Sequence, residues 1–504
     1  MNINVKEGNL HEIACDALII GLHSELTGLP DEIINLDKEL KGKIKYIFDE
    51  KEITGKSGEM TVIHTFHDIK PKRVVIDGMG KSEDMNTNQL RETFSMAVKK
   101  LKSTGCKNLA ILPPYVETFD IEEISSSIVE GILLGLYNFT KYLTLEKSEK
   151  KIENITFAIP PGYKILSKMI APGIKYGTTV SKNVNIVKDI CNEPSNYMTP
   201  EVFAEEAKKI FEGTSVKCTV LNEKEIAENN MNLLLAVGQG SITPPRLVVL
   251  EYIKDKNAPV IGLVGKGITF DTGGITLKQS KSTLFEMRRD LTGGAVVMGI
   301  MKTLEEFNCP LNCVAVIPLA ENAIGNRSCK PGDIFYSMSG KTVEIFDTDC
   351  EGRLILADAF TYIQKHYSPK LIIDLATLLN LGSVMGLNRV PFFTNSEELV
   401  PKLQEASRIT GEEVWQMPLD RKFRERIMSH FADRKNRSYK DPQTIAIALF
   451  LEDFIDKGVE WLHIDLAAVD TKYGDRSYVS RGSTAFGVRL VTRLLFDLLE
   501  KYHK

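Results

Sequence analysis

Short β-branched runs alternate with helical periodicity along the first third of the chain. Cys15 to Gly21, Thr61 to Phe66, Arg73 to Asp77, Asn108 to Leu112 and Ile155 to Ile159 read as strands. Gln89 to Ser103 and Ile121 to Tyr142 carry the 3.6-residue period of helices between them. Pro160-Pro161-Gly162 then punctuates the chain, and Thr199-Pro200-Glu201 signals an N-cap and first turn for a helix to about Phe211. Beyond it the strand candidates are more continuously apolar: Leu233 to Val237, Arg246 to Tyr252, Val260 to Val264, Cys313 to Ile317, Val343 to Phe346, Leu371 to Asp374 and Trp461 to Asp465. Such runs suit a sheet buried on both faces, hence largely parallel. Helices fit Gly293 to Glu306, Arg353 to His366 and Thr484 to Lys501. The predicted fold class is α/β in two domains. A smaller N-terminal domain covers 1–165, a linker 166–185 and a larger domain 186–504, whose mixed, largely parallel sheet is flanked by helices.

Composition narrows the class. The 504 residues are 43% hydrophobic, 26% charged and 8% aromatic, which excludes fibrous and disordered chains. The formal net charge of −4 disfavours nucleic-acid coating, and residues 1–160 are the acidic part, with 20 Lys/Arg against 25 Asp/Glu. No apolar run is long enough to span a bilayer, and Met1 to Glu7 has no signal-like character, so a cytoplasmic location without membrane partners is expected. Of the eight cysteines, Cys309 and Cys313 sit four apart with no second pair or nearby His, and reduced thiols are expected. The eight histidines never form HExxH, so any metal site must lean on carboxylates.

Three clusters could carry chemistry. Val264 to Lys278 ends an apolar strand in glycines and brings Lys266, Asp271 and Lys278 with it. Spacing alone reads it as a nucleotide-like turn or a tight connection. Asp290, before Gly293-Gly294, taken alone reads as an acid at a helix N-terminus. In Asp347-Thr348-Asp349-Cys350-Glu351-Gly352-Arg353, extended backbone puts residues 347, 349 and 351 on one side, where like charges need neutralising. Asp271, Asp290, Asp349 and Glu351 together supply four negative charges, which two divalent cations would balance. Composition does not choose between peptide and phosphate chemistry.

At these residues the sequence resembles the leucine aminopeptidase (cytosol aminopeptidase) family, peptidase family M17. The family's NTDAEGR reads Asp347 to Arg353 here, and its VGKGITFDSGG is present with Thr272 for Ser. Ala320-Glu321-Asn322, Lys330-Pro331-Gly332-Asp333 and Phe486-Gly487-Val488-Arg489-Leu490 follow in order, so the likeness runs from about 190 to 495. The resemblance implies a two-metal aminopeptidase. Lys266, Asp271, Asp290 and Glu351 would hold the tightly bound ion, and Asp271, Asp349 and Glu351 the exchangeable one. Mn or Zn is the expected metal, with Co or Mg as further choices. Lys278 would polarise the scissile carbonyl, and Arg353 would hold a bicarbonate acting as general base toward a bridging water. Peptides with a free N-terminus would be the substrates and a homo-hexamer the assembly. A narrow dipeptidase, for example for Cys-Gly, and a DNA-binding homologue are the alternatives, the latter disfavoured by the acidic first domain.

Departures from the family pattern mark where this chain differs. Asp347 replaces Asn and adds a negative charge, and Cys350, replacing Ala, is expected as a small buried thiol. The pocket for the first side chain is expected at Met287, Leu379, Asn380 and Asp470. Asn380 and Asp470 would make it more polar than a strict leucine pocket. Lys440 to Ala446 departs from the family's glycine- and alanine-rich segment.

Overall fold

The computed structural model describes residues 1–145, 150–472 and 477–502. The chain forms two compact units, Met1–Lys182 with Gly474–Arg481, and Asn183–Tyr473 with Gly482–Lys504. Among the described residues, no helix is long and apolar enough to cross a membrane.

In the first unit six strands form one sheet in the order Asn2–Glu7, Asn154–Ile159, Asn108–Leu112, Ala17–His23, Arg73–Gly80, Met60–His64. All neighbours are parallel except the last pair. Alternation along Ala17–His23 sends Ala17 and Ile19 into one core and Leu18, Ile20 and Leu22 into another. Helices Thr87–Ser103 and Ile121–Gly135 cover the first face, and Asp31–Glu39 contributes Ile33 and Leu36 to the second. A buried Arg91–Glu130 pair, Nε to Oε2 2.7 Å, links the two covering helices. The second of them ends at Gly135, short of the expected Tyr142.

In the second unit the central strands Glu460–Asp465, Leu371–Ala376, Val260–Gly265 and Asn312–Asn322 are parallel neighbours. Pairing turns antiparallel toward Arg389–Thr394 on one side and Arg246–Tyr252 and Lys217–Leu221 on the other. Gly267–Asp271 runs beside the far end of Asn312–Asn322. Helices Thr292–Glu306 and Gly352–Tyr367 both pack on the central strands, as expected of an α/β layer with a mixed, largely parallel sheet.

Four further stretches differ from expectation. Leu233 to Val237 lies in the helix Asn232–Gly238, not a strand. A short apolar run carries no decisive period, and the helix start is fixed from elsewhere: buried Asp358 accepts from the N–H groups of Leu233 (2.8 Å) and Leu234 (3.1 Å). Thr342–Glu344 belongs to a separate three-stranded sheet with Ile334–Tyr336 and Arg434–Lys435. The C-terminal helix begins at Val488, after Gly487 at φ 104°, and gives way to a second short helix at Leu499. The stretch expected as a linker, 166–185, lies inside the helix Lys164–Asn192.

Candidate active site

Lys266 is the single residue between the strands Val260–Gly265 and Gly267–Asp271. Its backbone is clamped on both sides: its N–H donates to Leu375 O (3.0 Å), and its carbonyl accepts from Gly294 N (2.8 Å). The glycines make this approach possible, since a Cβ on Gly293 would sit 2.1 Å from Leu375 O. The Gly-rich run is therefore a close backbone crossing that delivers one lysine into the interior.

Lys266 Nζ lies 2.7 Å from Asp290 Oδ2, 2.9 Å from Glu351 Oε1 and 2.7 Å from the Thr377 carbonyl. Asp271, Asp290 and Glu351 can each offer one carboxylate oxygen such that all three lie within 4.8 Å of one another. All three residues are buried. Asp349 stands at the more open edge, with its side chain 32% exposed. Lys278 bridges it to the cluster, with Nζ 2.8 Å from Asp271 Oδ2 and in contact with Asp349 Oδ1. Lys278 is aimed by a turn in which Gly273 at φ 87° donates its N–H to Asp271 Oδ1 (2.9 Å). Thr348 ties that turn to the 346–350 loop through Gly273 O (2.7 Å) and Thr276 N (2.8 Å).

Four carboxylates here face two ammonium groups. Burial opposes the charge of Lys266, but Asp290, Glu351 and Asp271 outweigh it and hold the amine above its ordinary value. Burial opposes the charge of Lys278 too, and Asp271 and Glu351 overcome it. Burial, with Glu351 and Asp290 beside it, pushes Asp271 up. Glu351 is held below the usual carboxylate range because the two lysines outweigh its burial. Glu351 Oε2 nevertheless has no hydrogen-bond partner, although it is buried. A buried carboxylate oxygen left unpaired, in an all-oxygen donor set with one amine, fits a divalent cation.

Residues that sequence reading assigned no role fix this geometry. Asn322 Nδ2 donates to Asp271 Oδ1 (2.7 Å) and Thr348 O (3.0 Å). Thr377 Oγ1 donates to Asp290 Oδ1 (2.6 Å). Asp465, buried, accepts from the N–H groups of Leu378 (3.0 Å) and Leu379 (2.9 Å), holding the loop that carries Thr377. Asn436, fully buried, accepts from Phe346 N (2.8 Å) and Asp347 N (3.1 Å) and donates to Asp347 O (2.6 Å). Its own carbonyl accepts from Arg353 Nη1 (2.7 Å). Arg353 is buried in the first turn of helix Gly352–Tyr367, and its Nε has no partner.

Asp347 does not join the cluster as extended parity predicts. The backbone turns at residues 347–350, so that Asp347 Oδ1 accepts from Asp349 N (2.8 Å) and Oδ2 pairs with the Arg437 guanidinium. Arg437 thus offsets the added charge. Asp349 still sits above the ordinary carboxylate value, chiefly by burial, with Lys278 opposing and Glu351 and Asp347 adding to it. Burial pushes the Cys350 thiol to about 11, which keeps it protonated near neutral pH.

Of the expected pocket residues, Met287 is half-buried in the turn just before Asp290, and Leu379 is half-buried two residues after Thr377. Asn380 is exposed and spends its Oδ1 on Gly382 N (2.8 Å). Asp470 is partly buried, and burial pushes it up to about 7 against the pull of Arg289, with Asp290 and Glu286 adding to the rise. Residues 440–446 contain a cis peptide at Asp441–Pro442 and begin the helix Gln443–Glu452.

Comparison with known proteins gives this constellation its context. Residues 185–492 match the model of the cytosol aminopeptidase family catalytic domain, and residues 19–146 that of its N-terminal domain. A probable cytosol aminopeptidase of Clostridium perfringens is 36% identical over 501 residues, covering 98% of both chains. That of Roseiflexus castenholzii is 33% identical over 502 residues, covering 99% of both. Among solved structures, a tomato leucine aminopeptidase variant aligns with a TM-score of 0.86 at 27% identity, covering 99% of this chain and 96% of that one. The bottromycin maturation enzyme BotP in complex with Mn aligns with a TM-score of 0.84 at 27% identity, covering 96% of this chain and all of that one.

Proposed function

The chain belongs to the cytosol aminopeptidase family and is a peptidase of the aminopeptidase kind, and from that premise we propose that it removes N-terminal residues by two-metal chemistry at the buried carboxylate cluster. Residues 186–504 are the proposed catalytic domain and 1–165 an accessory one. The observation that carries the reading is the excess of buried acid over buried base around Lys266 and Lys278. Lys266, Asp271, Asp290 and Glu351 would hold one divalent ion, and Asp271, Asp349 and Glu351 the other. Mn, present in the BotP structure, or Zn is the proposed metal. The two ions would supply Lewis acidity, which makes water more acidic and polarises a carbonyl.

The protein's own groups then have distinct tasks. Lys266 can ligate only as the neutral amine, so loading the site releases its proton. Lys278 is too deeply held by acids to lose its charge, which suits it to stabilising a developing oxyanion. Arg353 has a free Nε beside an anchored Nη1, which suits it to orienting a planar anion such as bicarbonate. A bicarbonate held by Arg353 would supply a general base beside the carboxylate cluster. Asp290 would also accept from a substrate's free α-amine, which would make the site select chain ends over internal amides. With Asn380 spent on its own turn, Asp470 is the group that would make the first-residue pocket polar. Family membership supports a homo-hexamer in the cytoplasm.

The test is hydrolysis of matched peptides with free and acetylated N-termini by Mn- or Zn-reconstituted protein. The free peptide alone should lose its first residue. Cleavage of the acetylated peptide at a similar rate, or no turnover with either metal, would overturn the reading.

A further inference from the structure

The first unit holds a cavity of about 710 Å3 that the carboxylate cluster does not use. Its place follows from the sheet topology. The chain leaves strand Ala17–His23 for the edge strand Met60–His64 and then Arg73–Gly80 on one side, and crosses back to Asn108–Leu112 on the other. The strand order therefore reverses between Ala17–His23 and Asn108–Leu112, and an open α/β sheet splays there beyond the carboxyl ends of its strands. The cavity opens at that crevice. Ile20 and His23 line it from one strand, Leu112 and Pro113 from the next, and Ile159 and Pro160 from a third. Helices of both layers close it, with Ile33 from one and Ile124 from the other.

The lining chemistry selects a class of ligand. The walls are aliphatic and aromatic, and the Tyr115 and Tyr163 side chains, 82% and 47% exposed, stand at the rim. Among the described residues, no lysine or arginine lines the cavity, and the charged side chains that do are Glu32 and Asp120. Glu32 accepts from Tyr163 Oη (2.9 Å), and Asp120 caps helix Ile121–Gly135 through Glu123 N (2.8 Å). The two ring nitrogens of His23 each lie 3.3 Å from a backbone carbonyl, of Gly80 and of Tyr115, and the one that carries the proton donates to its carbonyl. A phosphate, sulfonate or carboxylate would enter with no lysine or arginine to pair with and two acids beside it, which is costly in an apolar site. The volume lies within the range of small-molecule pockets.

We propose that the switch-point cavity of the first unit is a binding site for a small aromatic molecule bearing an amine and no acidic group. Apolar burial supplies the affinity, and Glu32 and Asp120 accept from the amine and repel anions.

The experiment uses the full-length protein and two dyes with one ring skeleton, N-phenyl-1-naphthylamine and its sulfonate, 1-anilinonaphthalene-8-sulfonate. The amine should bind with a saturable fluorescence rise at one site per chain, and the sulfonate at least about tenfold more weakly. Leu112→Trp fills the cavity and should weaken amine binding at least about tenfold, with aminopeptidase turnover and melting temperature unchanged. Should that variant not fold, Glu32→Lys, on a partly exposed helix position, should narrow the gap between the dyes by strengthening the sulfonate. No saturable amine site, equal affinity for both dyes, undiminished binding to folded Leu112→Trp, or an unchanged dye ratio in Glu32→Lys would each overturn the proposal. None of these readouts depends on the peptidase site.

Discussion

Both units bury charge inside an α/β layer, and they do so in opposite ways. In the first, Arg91 and Glu130, each with a side chain 2% exposed, form an ion pair between two helices. In the second, four acids surround two lysines, and Glu351 Oε2 is left without a partner. An acid and a base paired between helices tie the fold together, and removing one of them is felt in stability. A buried surplus of one sign is completed only by something from outside, and that is the physical mark of a site. Even the second unit contains both kinds: His463 Nδ1 lies 2.6 Å from Asp374 Oδ1, a matched pair across neighbouring strands.

The contrast can be broken by substitution. Glu351→Gln removes a proposed bridging charge and should take turnover to background, while circular dichroism stays native. Arg91→Leu in the first unit should do the reverse. It breaks the buried pair and should cost about 3–5 kcal/mol of stability by denaturant titration, with kcat per folded chain unchanged. Lys278→Ala should lower kcat by about 10²–10³-fold, equivalent to about 2.7–4 kcal/mol of transition-state stabilisation, with little change in stability. Unchanged kcat would remove Lys278 from its role. Asn436→Ala loosens the loop that carries Asp349, and should weaken metal affinity or activity about 10–100-fold. Cys350→Ser should have the smallest effect, because the thiol stays protonated near neutral pH. Metal content unchanged and kcat within about twofold are expected, because the side chain has no assigned role and serine is nearly isosteric with it.

The sequence made the sheets legible because their buried strands are continuous apolar runs. Asn108–Leu112 and Arg246–Tyr252 have the predicted boundaries. It failed at Leu233 to Val237, where a carboxylate 125 residues away caps the helix. Such a partner leaves no local trace in the chain. The four acids and two lysines were legible through ordered motifs, and the structure brings Asp271, Asp290 and Glu351 together. The support around them was not. Asn436 and Asp465 act through backbone contacts made across the fold, and an isolated Asn or Asp reads as an ordinary loop residue. Asp347 misled for the opposite reason: parity holds only in extended backbone, and here the chain turns to meet Arg437.

Most directly at stake is whether the buried surplus of acid holds cations. Elemental analysis of Mn-reconstituted, dialysed protein, run beside Glu351→Gln and Arg91→Leu, measures this. Two Mn per chain are expected in the wild type and in folded Arg91→Leu, and fewer in Glu351→Gln. Fewer than two in the wild type, or two retained in Glu351→Gln, would contradict the assignment of Glu351 and its neighbours as a shared two-ion site.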